Sequence, residues 1–324
     1  MSERRLASRR SKRPQSGKEK SMSRTILKNA VQGIGLASVL AMSPFAAHAT
    51  TTINVAAAAN LTIPFGDIIP NFQNQYASSG YMVSVSYASS SVLESQINGT
   101  CSGCTPNQPG YDLFLSADTN HPNDLINNYP STVYAYNSPT TPAKYLFYYA
   151  VGALDLWTNT SGINVSSGLP AGWLKVAIAD PSKAPYGVAA QSVLSNVYSI
   201  TLPNAKVDEY SNITNTYNSV QSGSEKYGFV ARSQICTHGD TTPQYSGVSH
   251  QDIAASTATP PTTYSPILQG GVEIAHTRTT DQQTELTVFV QYLTGSDFSN
   301  NPVSPSATKK LQYYCYTLPS PVYP

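Results

Sequence analysis

Residues 55–62, Val-Ala-Ala-Ala-Ala-Asn-Leu-Thr, stand where a predicted strand passes into a predicted helix. Two further polar turns occupy the same kind of position, residues 87–91 (Tyr-Ala-Ser-Ser-Ser) and residues 180–187 (Asp-Pro-Ser-Lys-Ala-Pro-Tyr-Gly). A helix N-terminus exposes unpaired backbone N–H groups and the positive end of the helix dipole, so small hydroxyl or amide residues there form a cradle for an anion. One such turn is ordinary helix capping. Three in one chain, with Lys183 as their only basic residue, predict a site for a dehydrated oxyanion.

The segments around the first two turns alternate between strand and helix patterns. Apolar runs predict strands over 53–58, 81–87 and 112–116, and apolar residues at helical spacing predict helices over 63–76 and 91–97. This alternation of strands and helices is typical of βαβ units. The sequence therefore predicts an α/β fold with an open, largely parallel sheet.

The later part of the chain continues this alternation. A Tyr-rich apolar stretch over 146–156 is long enough to cross between two lobes. The other predicted elements are strands over 174–179, 227–231 and 269–275 and helices over 188–194, 210–220 and 284–293. Residues 236–266 are rich in Thr, Ser, Pro and His, and we predict an irregular loop there.

The first 49 residues have the pattern of a secretory signal. Ten of the 19 Lys and Arg residues lie within residues 1–28, an apolar run follows, and Ala47-His48-Ala49 is a small-x-small cleavage pattern. We predict cleavage before Thr50, with Met1 or Met22 as the start. A transmembrane anchor is the alternative, but the apolar run is short and interrupted by Gln, Gly and Pro.

Removal of this segment changes the charge of the protein. The segment holds ten of the 19 basic and two of the 18 acidic residues, so nine basic and 16 acidic residues remain, a net charge of about −7. Such a chain is a poor candidate for binding nucleic acid or a polyanionic surface. A bound anion must then be held by dipoles and hydrogen bonds. The remaining length of about 275 residues suits one large domain or two medium lobes.

Four cysteines in an exported chain predict disulfides. Three pairings are possible among Cys101, Cys104, Cys236 and Cys315. A bridge from Cys101 to Cys104 would staple a Gly/Pro/Asn-rich insertion over 98–110, and the remaining pair would then close a long loop. A zinc site is the alternative, but the chain has a single C-x-x-C and no His pair at ligand spacing.

Several segments resemble the periplasmic molybdate-binding proteins, the solute-binding components of ABC importers. The resemblance covers nearly the whole mature chain, and the shared order and spacing of the segments make it specific. The segments are 54–62, 87–93, 112–118, 179–181 with 184–187, 227–231, and 289–293 followed by 314–316.

The resemblance implies a two-lobed type II periplasmic-binding-protein fold. Each lobe is expected to be a mixed, mostly parallel sheet flanked by helices, with the ligand in the interlobe cleft. Residues 50–148 and 267–324 would form the first lobe and residues 149–266 the second, after removal of the signal peptide 1–49. The resemblance also implies a periplasmic monomer that captures molybdate or tungstate, uses no cofactor, and delivers the ion to an ABC permease in the inner membrane.

Carried over position by position, the resemblance implies a set of neutral ligand-binding residues. Asn60 and its neighbour Ala59 belong to the first turn, and Ser90 supplies the hydroxyl of the second. The backbone N–H groups of Tyr186 in the third turn and of Ile213, near the start of a second-lobe helix, complete the set. No catalytic residue and no direct cation ligand is implied.

Three departures from the family pattern bear on which ion is bound. Some members have a Tyr hydroxyl at the position of Ala231, and the Tyr186 hydroxyl could replace it. Cys315 stands where the family's terminal Tyr-Gly-Tyr has Gly, and the insertion with Cys101 and Cys104 is additional. A lining of donors discriminates against protonated oxyanions, and cavity size separates molybdate or tungstate from the smaller sulfate.

Three other functions stay open. An enzyme is disfavoured because the chain has no G-x-S-x-G, H-E-x-x-H or P-loop motif. Four histidines lie singly in polar segments: His121, His238, His250 and His276. An extracellular structural or adhesive protein with a lost site would fit the Tyr-rich, polar composition. A binding protein of the same fold for sulfate, phosphate or a small organic anion is the third alternative.

Overall fold

The computed structural model describes residues 50–134, 146–238 and 242–324. The predicted signal peptide, residues 1–49, lies outside the described residues. The described residues all belong to one compact unit. Their strands form two five-stranded sheets and one two-stranded ribbon.

The first sheet takes strands from both ends of the described chain. Labelled in chain order, they are β1 (Thr51–Ala58), β2 (Tyr81–Ala88), β3 (Leu113–Leu115), β4 (Leu146–Gly152) and β12 (Ile267–Glu273). Their spatial order is β2-β1-β3-β12-β4. β1 pairs in parallel with β2 and β3, whereas β12 pairs antiparallel with β3 and β4. The three parallel strands therefore send their C-terminal ends to the same edge of the sheet.

Helices cover both faces of the first sheet, and we call this assembly the first lobe. They are α1 (Thr62–Gln75), α2 (Ser90–Asn98), α3 (Asn120–Asn128), α7 (Thr280–Thr294) and α8 (Thr308–Tyr313). On one face Phe65 and Phe72 of α1 pack against Phe289 of α7. Apolar side chains of α2 and α3 pack on the other face. Because both faces are covered, residues 55–58 of β1 are buried without alternation.

The second sheet is built from strands that lie between β4 and β12 in the chain. They are β5 (Leu154–Thr158), β6 (Val176–Ala179), β7 (Val207–Tyr210), β8 (Gly228–Ala231) and β11 (Ser249–Asp252). Their spatial order is β11-β5-β8-β6-β7. β6 pairs in parallel with β7 and β8, and β5 pairs antiparallel with β8 and β11.

Three helices complete what we call the second lobe. They are α4 (Pro185–Tyr198), α5 (Ile213–Gln221) and α6 (Arg232–Ile235). The ribbon of β9 (Cys236–His238) and β10 (Pro243–Tyr245) follows α6. No helix in the described ranges combines the length and apolarity needed to cross a membrane.

The described chain passes between the lobes twice. The first passage is the single residue Ala153 between β4 and β5, so the predicted crossing within residues 146–156 is confirmed. The second passage leads from Asp252 to Ile267. The Arg232 N–H group donates a hydrogen bond to the Ala153 carbonyl at 2.8 Å, which attaches the start of α6 to the first passage. The predicted lobe boundaries at residues 148 and 266 stay a prediction.

The predicted helix over residues 210–220 begins later than expected. Residues 207–210 form β7, an edge strand of the second sheet, and α5 begins only at Ile213. The Asn212 side chain caps α5 by accepting a hydrogen bond at 2.9 Å from the backbone N–H three residues later. The prediction missed the strand because two acidic residues interrupt its apolar pattern.

The predicted irregular loop over residues 236–266 is wrong in its first half, which contains β9, β10 and β11. β11 pairs with β5 so that Ser249 lies opposite Thr158. All three strands are short and polar, and β11 pairs with β5, a strand that is distant in the sequence, so the local pattern gave no strand signal. The predictions also lack α3 and α8, in which apolar residues are few.

Of the three possible disulfide pairings, the structure has the one in which the first two cysteines are bonded to each other. Cys101 is bonded to Cys104, and Cys236 is bonded to Cys315. The first bridge closes a turn in the insertion after α2. In the second, Cys236 begins β9 of the second lobe and Cys315 lies two residues after α8 of the first lobe. The second bridge therefore links the two lobes covalently.

We expect the interlobe disulfide to contribute more stability than the local one, because it closes a much longer loop in the unfolded chain. Replacing both Cys236 and Cys315 by Ser should lower the free energy of unfolding by about 2 to 4 kcal/mol. The same replacement of Cys101 and Cys104 is the matched control, since only three positions separate these residues. Urea unfolding followed by circular dichroism measures both. Equal losses in the two double variants would contradict the expectation.

Glu94 on α2 is a buried carboxyl group. Burial raises its pKa from 4.5 to about 8, and a hydrogen bond with Asp124 adds to the increase. The neighbouring His121 has its Nε2 atom 3.8 Å from a Glu94 oxygen. Burial lowers the pKa of His121, but its hydrogen bond to Asp118 and the charges around it outweigh burial, so that pKa is raised as well. Both groups therefore take up protons when the chain folds.

The free energy of unfolding should consequently fall as the pH rises from about 5 to about 8, because the folded state binds more protons than the unfolded state in this range. The Glu94→Gln variant should show a shallower fall, since one of the two proton-binding groups is gone. Glu209→Gln, at an exposed position of β7, is the control. Urea unfolding at several pH values measures the slopes. A slope in the Glu94→Gln variant as steep as that of the wild type would show that Glu94 does not bind this proton.

Candidate functional site

The five predicted ligand-binding residues are buried at the beginnings of helices. Ala59 is 4 % exposed, Ile213 3 %, Ser90 and Tyr186 1 % each, and Asn60 0 %. Ala59 and Asn60 follow β1, Ser90 begins α2, Tyr186 is the second residue of α4, and Ile213 begins α5. Each segment follows a strand that runs parallel to a neighbour in its sheet. The start of a helix in such a position is a favourable place for an anion.

The first turn is a short 3-10 segment, Ala59–Leu61, between β1 and α1. The Ala59 carbonyl accepts hydrogen bonds at 2.7 Å from the hydroxyl groups of Thr62 and of Thr214, which lies in the second lobe. The Asn60 carbonyl accepts a longer bond, 3.4 Å, from the Ser233 hydroxyl of the second lobe. Because these carbonyl oxygens already have donors, they repel an incoming anion less.

The second turn contributes two buried serines. The Ser90 hydroxyl accepts a hydrogen bond from the Ala117 N–H at 3.1 Å. A hydroxyl both accepts and donates, so the Ser90 hydrogen is free to donate to a ligand. Ser89 is the N-cap of α2, and its buried hydroxyl has no partner in the described part of the chain. Ser89 was not among the predicted site residues, although its N-cap position was a signal for it.

The third turn connects β6 to α4. The Ala184 carbonyl accepts the N–H group of Gly187 at 2.8 Å, and Pro185 has no N–H group to offer. The N–H group of Tyr186, in the first turn of the helix, has no partner inside the helix. Gly187 is required because a Cβ atom there would lie 2.3 Å from the Ala179 carbonyl oxygen. The close approach places the start of α4 directly on the end of β6.

The start of α5 lies against the first turn. Thr214, whose hydroxyl donates to Ala59, itself receives a hydrogen bond from the Gln234 amide at 3.2 Å. The N–H group of Ile213 belongs to the first helical residue and has no partner inside the helix. The second lobe thus brings a helix N-terminus to the Ala59–Asn60 turn.

Hydrogen bonds across the cleft show that the lobes are closed on each other at the site. The Ser91 N–H group on α2 donates to the Lys183 carbonyl at 3.2 Å. One buried cluster contains Ala59 and Ala117 of the first lobe together with Tyr186 and Ile213 of the second. The three predicted turns and the start of α5 therefore meet at a single contact between the lobes.

A series of buried side-chain hydrogen bonds runs through this contact. The Asn60 amide nitrogen donates to the Gln269 amide oxygen at 3.0 Å and to the Tyr316 hydroxyl at 2.7 Å. The Gln269 amide nitrogen donates to the Tyr186 hydroxyl at 3.0 Å. We call Asn60, Gln269, Tyr186 and Tyr316 the amide–tyrosine chain. Tyr186 comes from the second lobe and the other three residues from the first.

Sequence reasoning missed two members of this chain, Gln269 and Tyr316. Gln269 is fully buried in β12, and an amide within an apolar strand is itself a signal, because buried polar groups need partners. Tyr316 lies in the terminal segment that matched the family, but no role was predicted for it. The absence of a side chain at Gly152 makes room for the contact between Tyr186 and Gln269. A Cβ atom there would lie 2.1 Å from the Tyr186 hydroxyl and 2.5 Å from the Gln269 amide nitrogen.

Neutral donors dominate the electrostatics of the site. Burial raises the pKa of Tyr186 well above its ordinary value and that of Tyr316 to about 12, so both hydroxyls are protonated at neutral pH. Lys183, the only basic residue of the three turns, pairs with Asp180. The Tyr186 hydroxyl, which was expected to replace a donor missing at Ala231, lies in the amide–tyrosine chain.

The described residues do not form a recognisable metal-binding site. They contain no group of three or more His, Cys, Asp or Glu side chains arranged to hold a metal ion. His121 pairs with Asp118, and His276 lies 3.2 Å from Asp112. The arrangement of helix N-termini, hydroxyls and amides favours binding of an anion.

Comparison with known families decides the class of protein. The model of the family described as bacterial extracellular solute-binding protein matches residues 53–299, about three quarters of the chain. This chain belongs to that family. The members of the family bind solutes, so the prediction that this solute-binding protein is not an enzyme is confirmed.

Individual relatives agree with the predicted resemblance. The molybdate-binding protein ModA of Azotobacter vinelandii is 29 % identical over 269 residues, which cover 82 % of this chain and 90 % of the relative. ModA of Rhodobacter capsulatus is 31 % identical over 182 residues, 56 % of this chain and 64 % of the relative. The resemblance to molybdate-binding proteins is therefore confirmed.

A solved structure confirms the predicted two-lobed fold. The periplasmic molybdate-binding protein of Azotobacter vinelandii superposes with a TM-score of 0.63 at 25 % identity, covering 83 % of this chain and all of that one. The two sheets of this chain are mixed, as expected, with two parallel and two antiparallel pairs each. Parallel pairing therefore makes up half of each sheet, and not most of it as expected.

The packing of Tyr186 and Gln269 against Gly152 can be tested directly. Gly152→Ala places a methyl group where these two buried polar groups lie, so we expect a loss of about 1 to 3 kcal/mol in the free energy of unfolding. Gly66→Ala is the matched control, because Gly66 is exposed within α1 and its added Cβ atom meets nothing within 4 Å. The control should be neutral or more stable by up to about 1 kcal/mol. Denaturant titration of both variants decides, and a Gly152→Ala protein as stable as the wild type would contradict the packing argument.

Proposed function

We propose that this solute-binding protein captures a tetrahedral oxyanion, molybdate or tungstate, in the cleft between its lobes and delivers it to an ABC permease in the inner membrane. The observation that carries the proposal is the meeting of three strand-to-helix turns and the start of α5 at one buried contact. Every group offered there by the proposed ligand residues is neutral.

The proposed ligand residues divide into side-chain and backbone donors. Ser90 offers its hydroxyl and Asn60 its amide, whereas Tyr186 and Ile213 offer backbone N–H groups and Ala59 belongs to the same turn as Asn60. A dianion loses a large hydration energy on burial. Charge-assisted hydrogen bonds and the positive ends of four helices replace part of it.

Two arguments support molybdate or tungstate as the ion. Two molybdate-binding proteins match this chain, one over most of its length and the other over more than half of it. A lining of donors also disfavours an oxyanion that carries a hydrogen at neutral pH, such as phosphate, because that hydrogen would point at another donor.

Export and delivery complete the proposal. Residues 1–49 would direct the chain to the periplasm and be removed there, and the mature protein would act as a monomer without a cofactor. The division into a first lobe of residues 50–148 and 267–324 and a second lobe of residues 149–266 is part of the proposal. Release to the permease would require the lobes to open, since the site is buried when they are closed.

The ligand is tested with the mature protein and a panel of oxyanions. Molybdate and tungstate should raise the melting temperature, because a ligand that binds only the folded state stabilises it. Sulfate and phosphate should have smaller effects, and larger effects would identify one of them as the ion instead. No stabilisation by any of the four would contradict the proposal and leave the structural or adhesive alternative.

The site is tested by Ser90→Ala. Loss of one hydrogen bond to a charged ligand corresponds to about 1.5 to 3 kcal/mol, so calorimetry should show molybdate affinity reduced by about tenfold to a hundredfold. Ser95→Ala is the control, because the Ser95 hydroxyl lies on the same helix and donates to the Val92 carbonyl instead. Unchanged affinity in Ser90→Ala would show that Ser90 is not a ligand.

A further inference from the structure

Asn60 carries an unmatched polar atom. Its amide nitrogen makes two hydrogen bonds, but its buried Oδ1 atom has no partner within the described residues. A buried acceptor without a donor is costly. If Asn60 binds an oxyanion, an unpartnered Oδ1 atom would also repel the ion, because both atoms carry partial negative charge.

Reversal of two amides removes both difficulties. A half-turn of an amide group exchanges its oxygen and nitrogen and leaves the other atoms in place. If Asn60 and Gln269 both reverse, the Tyr186 hydroxyl donates to Gln269 Oε1 over the same 3.0 Å. Gln269 Nε2, at 3.0 Å, and the Tyr316 hydroxyl, at 2.7 Å, then donate to Asn60 Oδ1. The Tyr316 hydroxyl gives up its longer bond, 3.4 Å, to the Asn60 backbone carbonyl, which keeps the Ser233 hydroxyl as a donor. Asn60 Nδ2 takes the unpartnered place, and its hydrogens are free to donate to a ligand.

The chain can run in these two directions because a tyrosine hydroxyl either donates or accepts. Both tyrosines have their protons at neutral pH, as their raised pKa values require. In one direction the unpartnered atom of Asn60 is an acceptor, and in the other it is a donor. Only the second direction suits an oxyanion.

We propose that Gln269, Tyr186 and Tyr316 are positioning residues that hold the Asn60 amide with its nitrogen toward the bound oxyanion. This inference rests on the proposed function of the cleft and extends it to residues that do not touch the ion. Tyr186 comes from the lobe opposite to Asn60, so the orientation of a first-lobe ligand depends on a hydroxyl of the second lobe.

The first test removes the hydroxyl that begins the chain. Tyr186→Phe leaves the backbone N–H of Tyr186 in place but leaves the Gln269 oxygen without its donor. Molybdate affinity, measured by calorimetry on the mature protein, should fall at least about tenfold. The matched control is Tyr111→Phe. It removes another buried hydroxyl that donates to a glutamine amide oxygen, in this case Gln96 at 3.0 Å. Tyr111 precedes β3, at the edge of the first sheet opposite to the cleft, so affinity should stay within about twofold of the wild type.

A second test separates positioning from direct contact with the ion. The Asn60→Ser variant keeps a hydroxyl donor at this position but has no amide to orient. In the Asn60→Ser background, Tyr186→Phe should therefore change affinity by less than about twofold. If the Tyr186 hydroxyl bound the ion directly, the loss would persist in this background.

Tyr316→Phe is the second variant and should give a loss of the same kind in the wild-type background and none in the Asn60→Ser background. Melting temperatures of the ligand-free variants show whether each one folds. Wild-type affinity in both tyrosine variants, or equal losses in both backgrounds, would overturn the inference. A wild-type protein that binds none of the oxyanions would instead overturn the proposed function itself, so the two failures are distinguishable.

Discussion

A dianion enclosed between two lobes loses the water that stabilises it, and without a free cation only aligned dipoles and hydrogen-bond donors can replace that water. The observed helix starts would meet this constraint for the proposed ligand. α2, α4 and α5 each follow a strand that runs parallel to a neighbour, so the N–H groups of their first turns lie at the C-terminal edge of each sheet. Lys183 is already paired with Asp180 and adds no free charge.

Close packing and polar contacts depend on each other at this site. Tyr186 and Gln269 can bond only because Gly152 has no side chain, and α4 can begin on the end of β6 only because Gly187 has none. At these two glycines the lack of a side chain determines which polar groups can come into contact. A small change in volume there displaces a hydrogen-bonding group, whereas the same change on an exposed helix face displaces water.

The sequence predicts well what is encoded by neighbouring residues. The three turns and the first lobe's strands and helices around them follow from local patterns and from the family resemblance. The second-lobe edge strands did not, because β7 and β11 are polar and owe their structure to pairing with β6 and β5. Gln269 and Tyr316 were missed for a related reason. They form hydrogen bonds with Asn60 over a separation of more than 200 positions in the sequence. Local sequence patterns do not predict contacts of this kind.

The bond between Cys236 and Cys315 gives the chain a partly circular connectivity. A protease that cuts once within residues 253–266, the second passage between the lobes, leaves both fragments in one covalent molecule, because one fragment holds Cys236 and the other holds Cys315. A cut at Ala153 leaves two fragments that this disulfide does not join, since both of these cysteines lie on the same side of the cut. For a protein outside the cytoplasm, the long, Pro- and Thr-rich passage is the more accessible of the two, and it is the one that the disulfide protects.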